Sequence, residues 1–491
     1  MKKFKKISLR LLVALVLLYL LLLIPDFKQD SLVIKTNQRS FVWNRDSLWT
    51  SLEKDFTRSG LLQPAQLDSS MELMQSKAEK QLVNLLSKAS TPGDGDLDSL
   101  QDIFFKLATI VAVRTGSIEW YSGYYNRVRN YIKDQSRYWD MQQAGSRNRV
   151  YSLLYGMRAA VEEVILQTDS LHVPAAMLVK NETSVTPSAR IFGIPVHSGD
   201  ILVSRGGAEV SALISRGNDY PGNFSHIALL YVEEKSNRAF LIEAHIEKGV
   251  AIASVEEYEK DKKLRFMVMR PRADLPAMIA NPMLPHEAAK KMYEESFTRH
   301  IPYDFKMNYK DSSAMFCSEV ASYSYKKNGL QLWPSLSTIS STGVVDWLQN
   351  FGVENFITQM PSDLEYDPQL SVVAEWRDPE TLFKDHIDNA VTDAMLEKAN
   401  KGEKIGYNQW QLPLVRLIKA WCVIKNQFGK EGIIPEGMTA TTALKNQRYV
   451  ALNKKINTAV QQMAKDFMKT HHYRPPYWQL VKFANTAAAE E

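Results

Sequence analysis

At 491 residues the chain is too long for one hydrophobic core, and roughly two to four domains are expected. Apolar residues make up 45% and charged residues 23%, ordinary for a globular protein, and two cysteines exclude a disulfide framework. The net charge of +5 includes a lysine cluster at the N-terminus, so the balance elsewhere gives no argument for nucleic acid as a partner.

Residues 1–25 carry Lys2, Lys3, Lys5, Lys6 and Arg10, followed by an apolar run from Leu11 to Ile24. That order is a basic start before a hydrophobic segment, with no small-residue cleavage site before Pro25-Asp26. It predicts a signal anchor in preference to a cleaved signal peptide, although the run is short of the ~20 residues a spanning helix needs. The positive-inside rule then keeps the lysines in the cytoplasm. The bulk of the chain lies outside it, on the periplasmic side of a membrane or exported.

Residues 40–182 read as a helical domain. Met71–Ser90, Leu100–Val113, Ser117–Gln142 and Val150–Thr168 show apolar spacings of three and four, and a turn-rich stretch splits the first two. Trp120, Tyr121, Tyr124, Tyr125, Tyr131, Tyr138, Trp139, Tyr151 and Tyr155, with Arg127 and Arg129 among them, fall at helical spacing, which points to core packing more than to a glycan or headgroup surface.

A Pro/Ser/Thr/Gly-rich stretch at 183–199 marks a boundary. Short Ile-, Val- and Phe-rich strands follow at 200–204, 225–232, 238–245, 249–254 and 265–270, with a late one at 370–375. Residues 284–300 return to helical spacing. The last region, 381–491, reads as helical, with Cys422 as a packing residue.

Cys317 sits in Phe316-Cys317-Ser318-Glu319-Val320. Asp311, Ser312 and Ser313, residue types that cap helices, precede it, and Asn328-Gly329 supplies a stop. Val320, Ala321 and Ser324 share a face with Cys317 and are small enough to lie close against a sheet. A cysteine in the first turn of such a helix is favoured as thiolate, the nucleophilic form.

A thiol nucleophile needs a base and a group to orient that base. His226 opens a strand that is apolar on both faces, directly after the turn-forming Asp219–Asn223. The turn at 233–237 pairs this strand antiparallel with the next and sets His226 opposite a residue between Glu243 and His245. Those two share a face, so parity cannot choose between them. Glu243 is favoured because a carboxylate accepts from the imidazole N–H and stabilises its charged form.

Gly199–Leu202, Ser225-His226-Ile227, Glu243-Ala244, Pro302-Tyr303-Asp304 and Phe316–Val320 occur in the order and spacing of a known group. They resemble the circularly permuted papain-like hydrolases of the YiiX/YebB type, within the NlpC superfamily, over roughly residues 195–380. Lecithin:retinol acyltransferase-like enzymes are relatives. Permutation places the histidine before the cysteine, as it is here. One departure is Ala228, where glycine is frequent.

The resemblance implies an α+β fold, with an antiparallel sheet packed on the cysteine helix between helical flanks. It also implies Cys317 as nucleophile, His226 as base, Glu243 as orienting residue, Tyr303 on the substrate side and the Cys317 N–H in an oxyanion hole. Neither metal nor organic cofactor is required. The expected substrate is a peptide or acyl-amide, and across a bacterial membrane cell-wall peptides are the nearest amide class. Lipid acyl transfer and a silent, membrane-anchored scaffold are the rival functions.

Overall fold

The structure, a computed structural model, describes residues 2–25, 46–169, 173, 176–428, 430 and 432–491. The first positions of the expected helical region, 40–45, lie outside these.

Among the described residues eleven strands run in chain order: β1 (Ala176–Leu178), β2 (Ser188–Ile191), β3 (Ile194–His197), β4 (Ile201–Gly206), β5 (His226–Val232), β6 (Ala239–His245), β7 (Gly249–Ser254), β8 (Lys263–Pro271), β9 (Ser337–Thr338), β10 (Ile357–Thr358) and β11 (Leu370–Arg377). Seven of them form one sheet in the order β1-β11-β8-β4-β5-β6-β7. Every pairing in it is antiparallel. The fold is therefore α+β, as expected.

The central strands are apolar on both faces because both faces are covered. Side chains alternate along a strand, so Ile201, Val203, Ile227, Leu229 and Ile242 point one way, into a core shared with Val320, Ala321 and Tyr325 of the helix Cys317–Lys327. Leu202, Ala228, Leu230 and Leu241 point the other way and meet Ile191, Ile194 and Val196 of the β2–β3 hairpin. That hairpin and the edge strand β1 were not legible in the sequence.

The helices Pro64–Leu86, Gly95–Val111, Ile118–Ser136 and Ala144–Leu166 precede the sheet. Most of the aromatic series is core, but Tyr138, just past the end of the third helix, is exposed, because the chain there has left the packed face. Tyr121, Tyr124 and Tyr125 are fully buried, and their hydroxyls donate to the Phe104, Ala78 and Leu154 carbonyls. The apolar cluster they belong to continues without a break into the sheet and the cysteine helix.

Buried ion pairs join the same parts. Arg129 on the third of these helices meets Glu375 of β11 at 2.7 Å, and Arg158 on the fourth meets Glu365. Arg265 of β8 bonds both Glu162 and Asp385, the latter on the helix Pro379–Asn400. A charge can sit in such a place only when paired.

The C-terminal region is helical, with Pro379–Asn400, Leu412–Gln427, Ala440–His471 and Tyr477–Ala489. Residues Lys2–Leu22 also form a helix. Among the described residues no helix is long and apolar enough to cross a membrane, so the expected spanning anchor finds no support here. The physical reason lies in Lys5, Lys6 and Arg10, which leave the uninterrupted apolar part of that helix only from Leu11 onward.

Candidate active site

The cysteine helix begins at Cys317 itself. Its N-cap is Phe316, whose N–H donates to Glu319 Oε2 at 3.0 Å. Capping thus comes from Glu319, three residues into the helix, and not from Asp311, Ser312 or Ser313. Asp311 instead accepts from Ser313 N in the preceding turn. Cys317 occupies the first turn, where N–H groups have no intrahelical partner.

The approach to the cysteine is fixed by a short parallel bridge between Tyr303 and Met315. Met315 N donates to Pro302 O at 3.0 Å and Asp304 N to Met315 O at 3.1 Å. This holds Tyr303 beside Cys317. Ile301 in turn lies against Gly249, where β7 starts. Gly249 has φ +73°, and a Cβ there would stand 2.1 Å from Ile301 O, so only glycine lets the loop come this close.

His226 opens β5. The turn before it is pinned to distant loops: Asp219 accepts from Ser340 N at 2.9 Å, and Phe224 N donates to Ser362 Oγ at 3.0 Å. Ladder register pairs Ala228 with Glu243. His226 Nε2 lies 2.7 Å from Glu243 Oε2, and His245 Nε2 lies 3.5 Å from Oε1 of the same carboxylate. The Cys317 side chain sits beside the His226 imidazole and helps to raise its pKa. Since Nε2 serves Glu243, the nitrogen left for the thiol is Nδ1. The thiol is 3.6 Å from Ser225 O as well.

Electrostatics follow from this arrangement. Burial opposes charge on His226, but Cys317 and Glu243 outweigh it and raise its pKa to about 10. Burial likewise opposes ionisation of Glu243, yet the bonds from His226 and His245 hold it well below the usual carboxylate range. Burial, then the neighbouring Cys317, raises Tyr303 well above an ordinary phenol. A carboxylate in this state only accepts, so His226 Nε2 carries a proton toward Glu243, and with its pKa near 10 the imidazole also holds one on Nδ1, toward Cys317, at neutral pH.

The structure thus brings Cys317, His226, Glu243 and Tyr303 together. His245 is at the rim. Cys422 is elsewhere, buried against Gly432 on the helix Leu412–Gln427.

Glu319 escaped the sequence reading although it lies two residues from Cys317. Burial, with Asp304 and Cys317 nearby, raises its pKa to about 9, so it is a neutral acid at pH 7. The available signal was a glutamate three residues after a helix start, the second half of a capping box.

Residues 195–374 match the family model of the permuted papain-like amidase enzymes, YaeF/YiiX, C92 family. A comparison of the chain with curated proteins finds no match. The matched segment runs from the β2–β3 hairpin into β11 and contains Cys317, His226, Glu243 and Tyr303. Residues 195–374 are thus similar to the permuted papain-like amidases of the YaeF/YiiX family, and the protein is a cysteine hydrolase.

Proposed function

We propose that this hydrolase cleaves a peptide or acyl-amide bond through a thioacyl-enzyme, with cell-wall peptides as the substrate class. The observation that carries the reading is the gathering of Glu243, His226 and Cys317 at a helix start, with His226 bonded to Glu243 and Cys317 beside it. With the thiol proton held on His226 Nδ1, the Cys317 sulfur attacks the carbonyl carbon. The oxyanion forms next to the Cys317 N–H, which the helix leaves unpaired. The C–N bond breaks as the imidazolium returns its proton to the leaving amine. Water, deprotonated by His226, then attacks the thioester and releases the acid and the thiol. Glu243 fixes the tautomer throughout, and Tyr303 lines the substrate side.

The cell-wall assignment rests on the lysine-rich, apolar N-terminal segment, which favours a location outside the cytoplasm. The test is amine release from purified cell-wall peptide fragments by the full-length chain and by Cys317→Ala. Release by the wild type alone supports the proposal. Equal turnover by both variants removes Cys317 from the chemistry. No release from wall peptides, with cleavage of other amides intact, replaces the substrate class only.

A further inference from the structure

The exposed large apolar side chains of this protein are concentrated in two places, the helix Lys2–Leu22 and the region Trp410–Ile433. On the helix Leu412–Gln427, the residues Leu414, Leu417, Trp421, Ile424 and Phe428 just beyond it repeat at spacings of three, four, three and four, which is one helical stripe. All five are exposed, Trp421 at 61% and Phe428 at 76%. The opposite face is already used: Leu412 is fully buried with Ala440 and Leu444, and Val415 packs against them. A helix with one packed face normally turns polar residues outward. This one turns a second apolar stripe outward.

The two places are contiguous. Tyr19 Oη donates to Trp410 O at 3.0 Å, and Arg416 donates to Leu22 O at 2.9 Å. On the N-terminal helix Leu11, Leu12 and Val13 are all exposed, and successive residues point in different directions around a helix. A second copy of the chain would cover one seam and leave the rest in water. An apolar medium covers every direction at once. Charge narrows the choice further: from Leu412 to Ile433 the sequence has Arg416, Lys419, Lys425 and Lys430 against the single acid Glu431, and the N-terminal segment has no acid before Asp26.

We propose that the outward stripe of the Leu412–Gln427 helix, with Trp410, Phe428 and Ile433, seats in the interface of an anionic lipid bilayer beside the N-terminal helix. Apolar and indole side chains enter the headgroup boundary while the basic residues meet lipid phosphates. This goes beyond membrane contact by the N-terminal segment, on which the stripe's position next to lipid rests. It also bears on the site. His300 Nε2 lies 3.1 Å from Glu436 Oε2, and Gly437 lies against Phe305, whose ring centroid is 5.0 Å from that of Tyr303. The seat is thereby joined to the loop that walls the active site.

The test uses the full-length chain, phosphatidylglycerol/phosphatidylcholine vesicles and lipids brominated near the headgroup. Tryptophan quenching is compared between wild type and Trp421→Phe, and vesicle partitioning between wild type and Leu417→Glu/Ile424→Glu, whose exposed positions leave the core intact. The expected result is quenching that falls with Trp421→Phe, and partitioning weakened about tenfold or more in the double variant at unchanged melting temperature. Vesicle binding that neither substitution alters overturns the seat and leaves the N-terminal contact standing. No vesicle binding at all overturns both. Concentration-dependent self-association abolished by the double variant, without vesicle binding, makes the stripe a contact between copies and also overturns the proposal.

Discussion

Glu243 Oε2 meets His226 Nε2 at 2.7 Å along a diagonal of the β5–β6 ladder, not straight across it. Ala228 is the residue paired with Glu243, so the position facing His226 belongs to the next residue on that face, His245. The two histidine rings do lie near each other, 5.6 Å between centroids, yet both turn a nitrogen to the same carboxylate. Glu243→Gln keeps size and hydrogen bonding but removes the charge that stabilises the imidazolium. Turnover is expected to fall on the order of tenfold or more with the fold intact, and His245→Asn is expected to be milder. Steady-state kinetics beside circular dichroism checks both; the reverse ranking would make His245 the orienting residue.

The pH dependence follows from His226. Its pKa is raised to about 10 in the folded chain, against roughly 6.5 when unfolded. The sign is that of a raised base: the stabilisation is fully present below about pH 6.5 and is lost as pH rises toward 10. The alkaline limb of kcat/KM should therefore lie near pH 10 in the wild type and move to lower pH in Glu243→Gln. A limb that stays in place after that substitution would remove Glu243 from the control of His226.

Glu319 predicts the opposite trend for a carboxyl. It is raised to about 9 in the folded chain, against an unfolded value of roughly 4.3, so the folded state binds more protons between those limits. Its contribution to stability therefore declines as pH rises from about 4.3 toward 9. Glu319→Gln, a neutral isostere that can still accept from Phe316 N, should melt close to wild type at pH 5 and above it at pH 9. Differential scanning calorimetry at the two pH values measures the difference, and a gap of the same size at both would contradict a buried neutral acid.

Arg265→Met leaves Glu162 and Asp385 buried with one partner fewer each. Breaking a buried pair from one side costs about 3–5 kcal/mol, because the remaining charges stay desolvated. Chemical denaturation should show a loss of that order. A companion variant with Glu162→Gln and Asp385→Asn added to Arg265→Met should recover part of it.

Much of the sheet was readable because its strands are continuous apolar runs bounded by turn residues, and the observed β5, β6, β7 and β11 differ from the expected spans by two residues or fewer. The edge strand β1 was not readable. It is three residues long, largely exposed, and its partner Trp376 is 200 positions away, so nothing local marks it. The cysteine helix was placed by its small face and its stop, but its cap was assigned to the wrong side. Local composition favoured the Asp311–Ser313 cluster, whereas tertiary burial recruited Glu319. Register could narrow the partner of His226 to two residues on one strand face. Side-chain reach, which alternation does not encode, is what separates 2.7 Å from 3.5 Å.

The pairing of Arg129 with Glu375 and of Arg158 with Glu365 spans 246 and 207 positions of chain. On a ribosome making about 5–20 residues per second, the first arginine emerges roughly 12–50 s before its carboxylate. During that interval the early helices hold unmatched cations on faces meant for burial, and they cannot close their core. Completion waits for the strand β11 to be synthesised. Truncation ahead of Glu365 is therefore expected to harm the first third of the molecule as well as the site, and a holding chaperone has its greatest value in that window.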